Sequence, residues 1–286
     1  METFALEPAN GYIVFKKDGE TVLLDTGAPL TLHKNKVDGN GGANSLVHQM
    51  RGLLDSMGDN PLMSGLKATI ANVTDEQLTS MLTGERMRSL AGSFGLDISS
   101  VTDSAASNSS MVDFDALEEH IGQPVTTIMG MAEIKNQKVL IDSVGNRISF
   151  GDDLSLEGDT LVCTCKGNYL FIKGELNGHE GKFVFDTGAP ISYADKEFVQ
   201  GLVPVDEKED YSPYVGPFNT PVYDMTLQLR NFSCDIEVGV LPKEMQRFVE
   251  MNFSVLGDVP KAIIGGSLIQ GRKILIDTAG RTITVG

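Results

Sequence analysis

The sequence predicts a mainly β protein of two lobes related by a pseudo-twofold axis, with a helical insert in the first lobe. Three observations predict it. The pentapeptide Asp-Thr-Gly-Ala-Pro occurs twice, at 25–29 and 186–190, each time behind an apolar run. The segments that close the two halves, "TTIMGMAEIKNQKVLIDSVGNRISFG" and "KAIIGGSLIQGRKILIDTAGRTITVG", match almost position for position when Gly130 is set against Gly265. Between residue 36 and about residue 110 strand signals vanish, and apolar residues recur at helical spacing instead.

Each half opens alike. In "GYIVFKKDGETVLLDTGAPLTL" and "NYLFIKGELNGHEGKFVFDTGAPISY" a β-rich run meets a turn rich in Gly, Lys, Asn or Asp, and a second apolar run ends at the aspartate. The insert begins after "DGNGGANS". Leu46, Val47, Met50, Leu53, Leu54 and Met57 form one helical stripe, and Thr74 to Gln77 reads as a capping box opening a second helix through Leu78, Met81 and Leu82. A third helix holds Met87, Leu90, Ala91 and Phe94; the low-complexity run "SSVTDSAASNSS" links it to a short helix in "DFDALEEHIG". Each half then closes on an apolar-apolar-Gly triplet, one helical turn, a strand (138–142 or 273–277), a turn at Gly145 or Gly280 and a final alternating strand. These signals divide the chain into an N-terminal lobe at 1–152, with its insert at about 38–122, and a C-terminal lobe at 153–286.

Composition narrows the function. With 286 residues and 41% apolar content the chain buries a substantial core. Its 23 basic and 39 acidic residues give a formal charge of −16, which repels nucleic acid and anionic membranes. No apolar run approaches the roughly 18 residues of a membrane span, and the opening "METFALEPANGY" lacks a basic segment followed by an apolar one. The 3 cysteines, at 163, 165 and 234, make no disulfide framework, so a reducing, cytoplasmic setting is expected. Neither they nor the 4 histidines have metal-ligand spacing, and no metal or cofactor is expected.

The duplication has a chemical consequence. Equivalent residues near a twofold axis meet across it, so Asp25 and Asp186 are expected to face each other. Gly27 and Gly188 permit close approach, Ala28 and Ala189 stay small, and the hydroxyls of Thr26 and Thr187 both donate and accept, suited to holding the two loops together. Two adjoining carboxyls share one proton; aspartic-protease dyads are the standing example of that logic. One member then acts as acid and the other as base, activating a water without metal or covalent intermediate.

These residues resemble the aspartic peptidase superfamily. The likeness rests on Asp25-Thr26-Gly27-Ala28, Asp186-Thr187-Gly188-Ala189 and the triplets Ile128-Met129-Gly130 and Ile263-Ile264-Gly265, covering about half the chain. Alanine after glycine is the retropepsin spelling; a duplication within one chain is the pepsin-like arrangement. The resemblance implies an endopeptidase complete in a monomer, with catalytic Asp25 and Asp186, and a peptide or protein substrate lying extended between the lobes. It also implies a β-hairpin flap. The candidate is about 209–229, with two extended runs around a turn at 216–219 and with Tyr211, Tyr214 and Phe218 reaching toward substrate. The first half offers no such hairpin, its insert standing in that interval. Alanines beside both motifs predict activity nearer neutral pH than a hydroxyl residue there would give.

Two further readings stay open on sequence: a peptide- or protein-binding module that no longer cuts, and a self-processing protein whose insert blocks the groove. Other motifs fail. "GGSLIQGRK" has Arg272 where a phosphate loop needs Lys, and "DGNGGANSLVHQ" has Gln49 where a calcium loop needs an acid. Asp142 and Asp277 mimic the aspartate motif without Thr-Gly and are expected at turns or strand ends.

Overall fold

The structure is a computed structural model that describes residues 1–34, 112–212 and 216–286. The three insert helices expected between residues 46 and 94 lie outside the described residues, as does Tyr214.

The described chain is mainly β. It opens with β1 (Glu2–Glu7), β2 (Val14–Lys17), β3 (Glu20–Leu24) and β4 (Leu32–His33). Helix α1 (Phe114–Ile121) leads into β5 (Thr127–Met129), the single turn α2 (Met131–Ile134), β6 (Lys138–Asp142) and β7 (Arg147–Phe150). There follow β8 (Asp159–Val162), β9 (Thr164–Lys166), β10 (Tyr169–Leu176), β11 (His179–Phe185) and β12 (Ser192–Ala194). The long hairpin strands β13 (Asp206–Ser212) and β14 (Gly216–Leu229) precede β15 (Phe232–Val240) and helix α3 (Lys243–Val255). The chain closes on β16 (Ala262–Ile264), the turn α4 (Gly266–Ile269), β17 (Lys273–Asp277) and β18 (Thr282–Val285).

Two sheets result. The ten-stranded one runs β4-β5-β3-β2-β1-β7-β6-β17-β18-β8, and the eight-stranded one β13-β14-β15-β12-β16-β11-β10-β9. The first joins both ends of the chain, because β6 pairs antiparallel with β17, Leu140 lying opposite Leu275. Ser143 Oγ donates to the carbonyl of Ile269 at 2.8 Å and Thr278 Oγ1 to that of Ile134 at 3.2 Å, so each closing strand caps the short helix of the other half. Asp142 and Asp277 end β6 and β17 and accept the N–H of Gly145 and Gly280 at 2.7 and 2.6 Å, closing the turns that follow.

Local chemistry accounts for the hairpins that carry the two motifs. Asp18 and Gly19 have φ of 52° and 83°, and Asn177 and Gly178 have 50° and 86°. Paired left-handed residues make the tight turn whose twist matches its flanking strands, and Asp-Gly and Asn-Gly are the sequences that adopt it most easily. Lys17 therefore lies opposite Glu20, and Leu176 opposite His179. The strands leaving these turns bury Leu24, Phe183 and Phe185 completely, and they pack with Phe15, Ile141 and Ile148 in one core cluster drawn from both sheets.

Helix α1 begins where Asp113 accepts the N–H groups of Asp115 and Ala116 and ends at Gly122, whose φ is 75°. Phe114, Leu117 and Ile121 bury its inner face against Tyr12, Leu23 and Val125. Lys34 holds the outer face through Asp115 and Glu118 at 2.6 and 2.9 Å.

One expectation is corrected. Residues 216–219 do not form the hairpin turn; Gly216, Pro217, Phe218 and Asn219 pair in β14 with Ser212, Tyr211, Asp210 and Glu209. Alternation along 216–229 is strong enough to continue the strand through Pro217, which lies opposite Tyr211. The hairpin also begins earlier than 209, at Asp206.

Candidate active site

Each aspartate leaves the end of a parallel strand pair. β3 runs beside β5 with Leu24 opposite Met129, and β11 beside β16 with Phe185 opposite Ile264. The next N–H on each strand continues the ladder: Asp25 donates to Met129 at 3.0 Å and Asp186 to Ile264 at 2.9 Å. Gly130 and Gly265 stay bare because a Cβ on either would sit 2.1 Å from the Leu30 carbonyl oxygen or 2.3 Å from that of Ile191. The apolar-apolar-Gly triplet is thus the wedge on which each aspartate loop rests.

The two loops interlock through buried threonines. Thr26 N–H donates to Thr187 Oγ1 and Thr187 N–H to Thr26 Oγ1, both at 3.0 Å. Their hydroxyls donate onward, Thr26 to the Phe185 carbonyl at 2.8 Å and Thr187 to the Leu24 carbonyl at 2.9 Å. Both residues are fully buried.

This lock brings Asp25 and Asp186 together. Asp25 Oδ1 accepts the N–H of Gly27 at 2.8 Å and of Ala28 at 2.9 Å. Asp186 Oδ1 accepts Gly188 N–H at 2.8 Å and also Gly27 N–H at 3.1 Å, so one amide bridges both carboxyls. A Cβ on Gly27 would lie 2.2 Å from Asp186 Oδ2, and one on Gly188 2.4 Å from Asp25 Cγ. No larger residue fits. Ala28 N–H is one of the Asp25 donors, while Ala189 gives its carbonyl to Gly266 N–H at 2.7 Å.

Burial and proximity set the proton chemistry. Asp25 is held well above the ordinary carboxylate range, first by burial, then by the charge of Asp186 and a hydrogen bond to it, against the downward pull of Ala28 and Gly27 N–H. Asp186 is raised too, chiefly by burial, with Gly188 and Gly27 N–H and the bond to Asp25 opposing. Both carboxyls are thereby biased toward their protonated forms relative to an ordinary aspartate.

Among the hairpin residues, Tyr211 packs on the α1 cluster and its hydroxyl reaches the Asp113 carbonyl at 3.4 Å. Phe218 lies 6.0 Å from the Tyr193 ring, centroid to centroid. The three cysteines are free, Cys163 buried and its thiol pushed up to about 11 by that burial. Among the described residues no cluster of His, Cys, Asp or Glu has the makings of a metal site, and no helix is long and apolar enough to cross a membrane.

Sequence reasoning overlooked a second acidic centre. Asp210, on β13, is 3% exposed and accepts hydrogen bonds from Tyr12 and Tyr193, with His120 Nε2 at 3.1 Å. Asp210 occupies an inward-facing position of β13, two residues before the buried Ser212, but the charged run around it gave the sequence no signal of that burial.

Two proteases are among the solved structures that match this chain. The simian foamy virus (mac) protease is 22% identical, the match covering 25% of this chain and 78% of that one, with a TM-score of 0.22. A retropepsin-like aspartic protease from Rickettsia conorii is 18% identical over 46% of this chain and 96% of that one, with a TM-score of 0.30. No protein-family model and no curated protein matches the sequence.

Proposed function

We propose that this protein is an aspartic endopeptidase in which Asp25 and Asp186 activate a water between them. The observation that carries the reading is the single Gly27 N–H shared by both carboxyls, with both groups raised above the ordinary range. In this reading the ionised member takes a proton from the water while the protonated member hydrogen-bonds the scissile carbonyl. The water's oxygen adds to the carbonyl carbon, and the acquired proton then passes to the leaving nitrogen, regenerating the pair.

The rest of the molecule is assigned around that centre. Residues 1–152 and 153–286 form two lobes related by a pseudo-twofold axis, each supplying one aspartate, so one chain suffices. Thr26 and Thr187 keep the carboxyls in register, Gly27 and Gly188 let them approach, and Ala28 and Ala189 leave room for substrate. The β13–β14 hairpin is the flap, with Tyr211 and Phe218 on its two strands. An extended peptide lies between the hairpin and the aspartates. The three free thiols fit a reducing cytoplasm.

Incubation with unfolded casein tests the proposal, with and without pepstatin, alongside Asp25→Asn and Asp186→Asn. Cleavage lost in both variants and blocked by pepstatin is expected. Cleavage surviving both substitutions would place the chemistry elsewhere, and no cleavage by the unaltered protein between about pH 3 and 8 would favour a binding module. A time-dependent shift in the protein's own gel mobility would instead mark self-processing.

A further inference from the structure

Three segments far apart in sequence converge on Asp210. Its Oδ1 accepts the Tyr12 hydroxyl at 2.8 Å and the Tyr211 N–H at 2.7 Å, and its Oδ2 accepts the Tyr193 hydroxyl. His120 of α1 completes the ring of partners at 3.1 Å from Oδ1. Tyr12 precedes β2, Tyr193 lies in β12 beyond the second aspartate loop, and both are almost wholly buried, at 6% and 2% exposure. Burial, then the charge of Asp210, pushes both phenols above their ordinary range, so they remain hydrogen-bond donors throughout the accessible pH range.

The same carboxyl borders a cavity. Its volume is about 270 Å3, and its lining includes Gly11, Pro190, Ile191, Lys208, His120 and Asp210. Pro190 ends the Asp-Thr-Gly-Ala-Pro loop that starts at Asp186, and Lys208 is fixed by Glu237 at 2.6 Å. The cavity therefore lies between the hairpin arm and two segments that the Tyr12 and Tyr193 hydroxyls tie to that arm. Its wall exists only while β13 is docked.

We propose that Asp210 is a positioning residue: bonded to Tyr12 and Tyr193, it latches the β13 arm of the hairpin and so forms the wall of a cavity that receives a substrate side chain. The docking part stands on the contacts alone; the substrate part rests on the endopeptidase reading. Tyr193 serves Oδ2, while Tyr12 is the hydroxyl that ties Oδ1 to the segment before β2, so losing either removes one of the two phenol ties on the buried carboxyl and favours the undocked arm. Unlike a residue that merely supports the fold, Asp210 governs the local opening of one hairpin and the binding of substrate to it.

Hydrogen exchange of the full chain, read by mass spectrometry, tests the latch without relying on turnover. Asp210→Asn and Tyr12→Phe are each expected to speed exchange of the β13 amides at 207–211 by about tenfold or more, while the β17 amides at 273–277 keep the wild-type rate. In a peptide assay KM should rise by about tenfold with kcat within about threefold. Tyr12→Phe keeps the carboxyl and its three other partners, Tyr193, Tyr211 N–H and His120, so it serves even where Asp210→Asn fails to fold. Unchanged exchange at 207–211 in Tyr12→Phe overturns the latch, as does acceleration spread equally to β17. Faster local exchange with unaltered KM overturns the substrate pocket alone. A wild-type chain that exchanges as expected but never cleaves leaves the latch standing and defeats the endopeptidase reading.

Discussion

Thr26 and Thr187 exchange backbone-to-hydroxyl hydrogen bonds of equal length, 3.0 Å in each direction, and each hydroxyl donates in turn to a carbonyl of the opposite aspartate strand. This reciprocity fixes where the two aspartates sit. Replacing Thr26 by Val retains its shape but leaves Thr187 N–H and the Phe185 carbonyl without these partners.

Each unpaired buried group costs about 1–3 kcal/mol. Thermal unfolding should accordingly fall by several degrees in Thr26→Val and in Thr187→Val, whereas Thr26→Ser should stay close to wild type. Equal melting of the Val and Ser variants would contradict the interlock.

Crowding at the glycines makes a separate prediction about activity. The Cβ in Gly27→Ala would fall 2.2 Å from Asp186 Oδ2. Asp186 has to move, and a displacement of about 1 Å typically costs about 100-fold in rate. Steady-state kinetics should show the loss in kcat, with circular dichroism unchanged; an active alanine variant would mean that the carboxyls need not adjoin.

The aspartates also link pH to stability. Asp25 binds its proton more tightly folded than unfolded, so it contributes most to stability at low pH, below the unfolded aspartate range near 3.9, and that contribution fades as pH rises through its raised folded value. Asp25→Asn removes this loss. The variant should therefore melt higher than wild type at pH 7, by about 2–4 °C for each kcal/mol, and the gap should close toward pH 3. Its peptidase rate should meanwhile fall by about 10² to 10⁴. A variant less stable than wild type at pH 7 would reverse the sign.

Residues that repeat were the legible ones. The two Asp-Thr-Gly-Ala-Pro loops, the triplets ending at Gly130 and Gly265, and the closing strands at 138–142 and 273–277 announce themselves because each half repeats the other. The β13–β14 hairpin has no such copy. There Gly216-Pro217 read as a turn, yet pairing of Tyr211 with Pro217 and Ser212 with Gly216 keeps both strands extended past it. Strand alternation outweighed local turn preference. The Asp210 cluster was illegible for another reason: Tyr12 lies 198 residues before its partner, and a single acid in a charged strand carries no mark of burial.

A carboxyl-carbon NMR titration of Asp25 and Asp186 measures the shared proton itself. One proton should remain on the pair well above the ordinary aspartate value near 3.9, and Asp186→Asn should lower the Asp25 midpoint by removing the neighbouring charge. Two carboxyls losing their protons independently in the ordinary range, with neither responding to substitution of the other, would contradict the account.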